Sequence, residues 1–295
     1  MKQLKVILMS LVAAVLVGCG TANTVPITGR QQRLMVSDGE VLSLSTQQYQ
    51  EFMKTAKLST NATNTAMVKR VGQNLANAVV NYLKANGLSN DVQYYNWTFN
   101  LVQDKQVNAW CMPGGLICVY EGLLPVTQNE ASLAIVLGHE IAHAVARHSA
   151  EQMSTQMSQQ QGLQIGSAVA GMLGVGSNTT SIVQAIVAQG FNFKNLKYSR
   201  DHENEADHMG LIFAAMAGYD PQVAVAFWQR MAAASTSNTA EFLSDHPSDA
   251  TRIKNIQGWM PEALKYYKPA TTTTTTKKAA TSTKKTYKVT SKKKK

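Results

Sequence analysis

Cysteine is scarce in this chain: three among 295 residues, at positions 19, 111 and 118. So few exclude a scaffold built on disulfides. The seven-residue spacing of the last two, with no ligand types close by, argues against their forming a metal site. Long apolar runs are scarce as well. After the N-terminus the nearest to one is Gln161 to Gly176, which is broken by Gln164 and several glycines and runs only sixteen residues. A bilayer span needs about 20. The 161–190 segment is expected to supply a tightly packed helix or a mobile cover near the functional site. Acid is missing from the last stretch: Lys268 to Lys295 holds ten lysines and neither Asp nor Glu. The formal charge of +10 therefore belongs to the tail, because residues 1–267 carry eighteen bases against eighteen acids. The rest of the chain gives no ground for expecting specific nucleic-acid binding. No internal repeat is visible.

The N-terminus has the parts of an export signal. Lys2 and Lys5 precede an apolar stretch, Val6 to Val17, of twelve residues, too short to cross a bilayer. It ends in Leu16-Val-Gly-Cys19, which looks like a lipobox, with Cys19 as the lipidated first residue of the mature chain. The alternative is an ordinary secretion signal with an incidental cysteine. Gly20 stands where an Asp would mark retention at an inner membrane, which points to a cell-envelope protein anchored on the periplasmic face of an outer membrane. At the other end, six threonines (Thr271 to Thr276) and the lysines hold little that forms a core. Disorder is expected there. Its charge suits anionic phospholipid, lipopolysaccharide or a cell-wall polymer; the alternative is a solubilising tail without a partner. The chain thus divides into residues 1–18 (signal), 19–65 (lipidated tether and N-terminal segment), 66–267 (one core-forming domain) and 268–295 (tail).

Within the domain, Met67 to Leu83 has helical spacing, with Gly87 as a C-cap. Gln31 to Lys57 is mixed and partly helical. Three strands are expected: Val92 to Leu101, Gln106 to Trp110 and Leu116 to Tyr120. Cys111 and Cys118 flank Met112 to Ile117, read as a turn. A turn centred on Gly114-Gly115 sets them opposite each other for a disulfide; the alternative is two buried free thiols. Gly218-Tyr-Asp-Pro221 stops one helix and starts another, Gln222 to Met231. A last helix is expected over Ser248 to Met260.

Two motifs carry chemistry. In His139-Glu140-Ile-Ala-His143 the histidines are four apart, hence one turn apart on one helix face. They can point two imidazoles at one ion, while Glu140 flanks that face and reaches a reacting water without becoming a ligand. The apolar run Ala131 to Gly138 and the small Ala142, Ala144 and Ala146 fit a buried helix, capped by Asn129 or Thr127. A catalytic zinc takes three protein ligands. Glu203, in Glu203-Asn-Glu-Ala-Asp207 on a second helical stretch, is the expected third, with Glu205 and Asp207 as competitors. Asp207, four on from Glu203, suits the carboxylate that holds a ligand histidine by its other ring N–H.

These motifs, with Val107-Asn-Ala-Trp-Cys-Met-Pro-Gly-Gly115, Ile117 to Leu124, Arg147-His148, Gly210, Asp245-His246-Pro247 and Arg252-Ile253, resemble the gluzincin family of the CAAX prenyl protease, the mitochondrial Oma peptidase and the bacterial heat-shock membrane protease. The similarity runs from about Val68 to Gln257 and points to the periplasmic lipoprotein branch. The resemblance implies an α+β, mainly helical, zincin-like fold with a small mixed or antiparallel sheet whose edge strand borders the active site. It implies one zinc per chain on His139, His143 and Glu203, with Glu140 as general base and Asp207 behind the ligands. It places His246 and Arg252 near the site and makes Asn108-Ala109-Trp110 the edge that pairs with an extended substrate. The implied function is zinc-dependent endoproteolysis of unfolded or misassembled envelope proteins, in quality control, with self-association or contact with outer-membrane assembly machinery. The competing readings are an envelope chaperone or assembly factor with little or no proteolysis, and a structural lipoprotein bridging membrane and wall through its tail.

Overall fold

The computed structural model describes residues 21–168, 179–234, 242–246 and 251–269. The signal, Cys19, Pro247, the middle of the 161–190 segment and the tail from 270 lie outside the described residues. Strands β1 (Thr21–Thr24) and β2 (Gln31–Leu34) form a hairpin, followed by α1 (Asp38–Thr55) and α2 (Ala62–Ala85). Then come β3 (Thr98–Val102), β4 (Ala109–Met112) and β5 (Leu116–Tyr120). Helices α3 (Leu124–Thr127), α4 (Glu130–Val145), α5 (His148–Ala168), α6 (Thr179–Ala188), α7 (Arg200–Met216), α8 (Val223–Ala234), α9 (Phe242–Asp245) and α10 (Arg252–Tyr266) complete the chain. This is the expected α+β, mainly helical arrangement. No helix among the described residues is long and apolar enough to cross a membrane.

The three-stranded sheet is mixed. β5 lies in the middle, parallel to β3 and antiparallel to β4, which forms an edge. Alternation along the strands sends Phe99, Leu101, Ala109, Cys111, Ile117 and Val119 to one core with α2, α4 and α7. Trp110, Met112, Cys118 and Tyr120 face a second core with Tyr49 of α1 and Met153 and Met157 of α5. Helices therefore cover both faces, and every residue of β4 and β5 is buried.

The register corrects the disulfide expectation. Cys111 pairs with Ile117, and Cys118 with Trp110. The two cysteines are one position out of register, so they point to opposite faces of the sheet. Both are free and buried. The turn centres on Gly114, with φ +88° there and +81° at Gly115, not between the two glycines as the disulfide required.

Other boundaries differ from the sequence expectations. The strand expected from Val92 begins only at Thr98, because Ser89–Tyr94 is a 3₁₀ helix. The strand expected over Gln106 to Trp110 is shifted to Ala109–Met112. The start of the 19–65 segment, read as a lipidated tether, holds β1 and buries Val25 in the main core.

The two motif helices, α4 and α7, pack along each other. Asn129 caps α4, its side chain accepting from the Ser132 N–H, and Ser199 caps α7 through the His202 N–H. Their crossing point is Gly138 against Gly210. A Cβ on Gly138 would lie 2.6 Å from the Gly210 carbonyl oxygen, and one on Gly210 2.6 Å from the His139 nitrogen. Only two glycines permit this approach, which brings residue 139 directly beside α7.

Candidate metal centre

The approach of α4 and α7 brings His139, His143 and Glu203 together, and His246, just after α9, joins them. His139 Nε2 stands 3.1 Å from His143 Nε2 and 3.2 Å from His246 Nδ1. Glu203 Oε1 is 3.1 Å from His246 Nδ1 and 3.4 Å from His143 Nε2, and Oε2 is 3.4 Å from His139 Nε2. All four side chains are buried, and their ligand atoms lie within 4.8 Å of one another.

This donor set fits a zinc ion. Tetrahedral ligands about 2.0–2.1 Å from zinc stand roughly 3.3 Å apart, close to the separations found. Glu203 Oε2 is buried without a hydrogen bond, and such an acceptor is costly unless something positive satisfies it. The electrostatics agree. Burial disfavours charge on His139, but Glu203 and Asp207 outweigh it and raise the imidazole to about 9. Burial likewise opposes ionisation of Glu203, yet His246 and His139 hold its carboxyl well below the usual range. Glu203 also sits in the first turn of α7, where the helix dipole favours an anion. The pocket is built around a carboxylate that calls for a cation.

The flanking residues take defined places. Asp207, one turn beyond Glu203, accepts from His139 Nδ1 at 2.9 Å and from Arg252 at 2.6 Å. Arg252 lies over the Trp228 ring, 3.4 Å from its centroid. Glu140 is 2% exposed. Its Oε1 has no hydrogen bond and faces His246 Nε2 at 3.5 Å. Burial raises the Glu140 carboxyl above its ordinary range, against the pull of His246 and His139.

Glu205 does not join the cluster. Two residues on from Glu203, it turns to the far side of α7 and meets His148, Thr28 and Arg30. Ala109 and Cys111 face the α4 side of the sheet, and Asn108 is buried just before β4. Trp110 points the other way, edge-on to Tyr49 and Phe52; its ring is core, not a wall of the site. Sequence reasoning missed Tyr198, which stacks on His143 with centroids 4.0 Å apart and shares a 2.8 Å hydrogen bond with Ser149. Its only signal was its place just before α7.

Comparison with known proteins agrees with this geometry. The model of peptidase family M48 matches residues 62–260. The chain is 32% identical over 170 residues to the mitochondrial metalloendopeptidase OMA1 of Schizosaccharomyces pombe, covering 57% of this chain and 48% of that protein. It is 30% identical over 248 residues to the human mitochondrial metalloendopeptidase OMA1, covering 81% of this chain and 46% of that one. A beta-barrel assembly-enhancing protease of Yersinia pestis is 27% identical over 193 residues, covering 61% of this chain and 37% of the relative. The chain spans about half the length, or less, of these curated relatives.

Proposed function

The chain belongs to peptidase family M48, and on that premise we propose that it is a zinc-dependent endopeptidase acting on unfolded or misassembled proteins of the cell envelope. The observation that carries the proposal is the convergence of His139, His143 and Glu203 with Glu140 alongside. A binding module has no use for a buried carboxylate of raised proton affinity beside a cation site.

His139, His143 and Glu203 would hold the ion. When bound there, zinc lowers the pKa of water toward 7 and polarises a carbonyl. Glu140 takes the proton of the attacking water and passes it to the leaving amine, the two halves of one shuttle. Asp207 and Arg252 keep His139 turned with Nε2 inward. His246 stands among these donors, 3.2 Å from His139 Nε2 and 3.1 Å from Glu203 Oε1. Once clear of the donors it would serve to donate to the developing oxyanion, a contact typically worth about 3 kcal/mol. The substrate is an extended segment, because pairing with an edge such as β4 requires free main-chain groups. Every residue of β4 is buried, so this segment enters only after the site opens.

The same blocking position of His246 favours a second reading, a strand-binding chaperone that cuts rarely. The lipobox at Cys19 supports an anchor on the periplasmic face of an outer membrane, and the lysine-rich tail supports contact with anionic envelope polymers. The name of the Yersinia pestis relative, a beta-barrel assembly-enhancing protease, supports work on the assembly of β-barrel proteins. The deciding experiment is cleavage of an unfolded test protein by wild type and Glu140→Gln, with and without chelator. Cleavage by wild type alone, lost on chelation, is expected. No cleavage by any form, with zinc bound, would favour the chaperone.

A further inference from the structure

Asp207 explains how His139 is turned; His143 needs a partner of its own. We propose that a buried relay, Thr28 and Arg30 to Glu205 to His148, positions His143, which makes the N-terminal hairpin a support of the metal centre. This inference rests on the zinc reading above. The hairpin precedes the residues matched by the family model, 62–260.

The geometry fixes the direction of each hydrogen bond. Thr28 Oγ1 donates to Glu205 Oε1 at 2.5 Å, and Arg30 Nε donates to Oε2 at 2.8 Å. A carboxylate so surrounded is an acceptor, so the proton between Glu205 and His148 belongs to His148 Nε2, 2.9 Å away. A neutral imidazole has one N–H. The other nitrogen, His148 Nδ1, is therefore bare, and it lies 2.8 Å from His143 Nδ1. It accepts the His143 Nδ1–H, which leaves the lone pair of His143 Nε2 directed at Glu203 and His139. The opposite pattern needs a doubly protonated His148. That ring is fully buried and stacks on His202 with centroids 4.3 Å apart, and a second proton there would place an added charge inside the protein. It would also force the His143 proton onto Nε2, against the ion.

The hairpin is fastened on both sides of this relay. Arg30 makes two 2.7 Å hydrogen bonds to Glu151 of α5. Gln32 donates to the Ala146 carbonyl at the end of α4 and to Glu151. Thr28, Arg30, Glu205 and His148 are positioning residues: they act on the ion only through His143.

The test uses the full chain and zinc itself. Zinc affinity is measured by competition with a chromophoric chelator, and coordination by the visible spectrum of the cobalt-loaded protein. Circular dichroism of the metal-free forms reports folding. His148→Leu is expected to weaken zinc binding by about 10–100-fold and to change the cobalt spectrum. His148→Gln, whose amide can donate to Glu205 and accept from His143, is expected to recover most of that loss. Arg30→Met is expected to weaken binding in the same direction by a smaller factor. Wild-type affinity in folded His148→Leu would overturn the relay, as would an equal loss in His148→Gln. If His148→Leu does not fold, Arg30→Met decides, and unchanged affinity there would overturn the proposal. A wild-type chain that binds no zinc would bring down the metal reading and the relay together.

Discussion

Glu140 shows how much one side chain can be asked to do. Its carboxyl is buried and its proton affinity raised, the state that suits a group taking up a proton and giving it back. Glu140→Gln keeps the shape and the three proposed zinc ligands but removes the acceptor. Turnover is expected to fall by about 10²–10⁴-fold, with zinc still near one per chain by elemental analysis. Full proteolysis by this variant would remove Glu140 from the mechanism. Such residues were legible in the sequence because helix geometry converts spacing into direction. Four residues return to the same face, which joins His139 to His143 and Glu203 to Asp207; two residues cross to the opposite face, which separates Glu205 from Glu203. The role of His148 was not legible, since its relay depends on Arg30, 175 positions from Glu205. Cys111 and Cys118 were misleading because facing across a hairpin depends on a register set by the turn, and one position of slip reverses it.

At the scale of the elements, the site depends on how closely α4 and α7 approach. Gly138→Ala would place a methyl 2.6 Å from the Gly210 carbonyl oxygen, against backbone that has no rotamer to change. The helices must part. The expected cost is about 1–3 kcal/mol of stability, together with weaker zinc binding, because His139 and Glu203 are carried by the two helices that meet there. Thermal melts of the metal-free protein and chelator competition measure the two effects; no change in either would mean the helices can shift without consequence. Helices α4 and α7 were read from sequence because the cap Asn129, the apolar run Ala131 to Gly138 and the four-residue spacing of Glu203 and Asp207 are local signals. The strands were placed less well. Aromatic residues over 92–97 suggest a strand, but Ser89–Tyr94 closes on α2 as a 3₁₀ helix and 95–97 lead irregularly into β3, a choice made by packing rather than by propensity.

Across the whole molecule, the N-terminal hairpin, α5 and α7 meet in one network of charges. Burial opposes ionisation of Glu151, yet hydrogen bonds from Arg30, His202 and Gln32 outweigh it and hold its carboxyl below the ordinary range. A depressed carboxyl stabilises the folded state fully above its unfolded pKa of about 4.5 and loses that contribution as pH falls toward its folded value. Glu151→Gln should therefore lower Tm at pH 7 by about 2–6 °C, the effect of a half-exposed pair worth about 1–2 kcal/mol. The two proteins should converge as the medium is made more acidic. Parallel melting curves across that range would show that Glu151 does not titrate as described. A different consequence follows from the enclosure of the four donor atoms, all of them buried. An ion held by them would exchange only when the protein opens, so its loss would be a first-order process timed by that motion. Above a threshold, raising the chelator concentration should not hasten inactivation, and a brief exposure should leave most molecules loaded. A rate that kept climbing with chelator would mean the reagent reaches the ion directly.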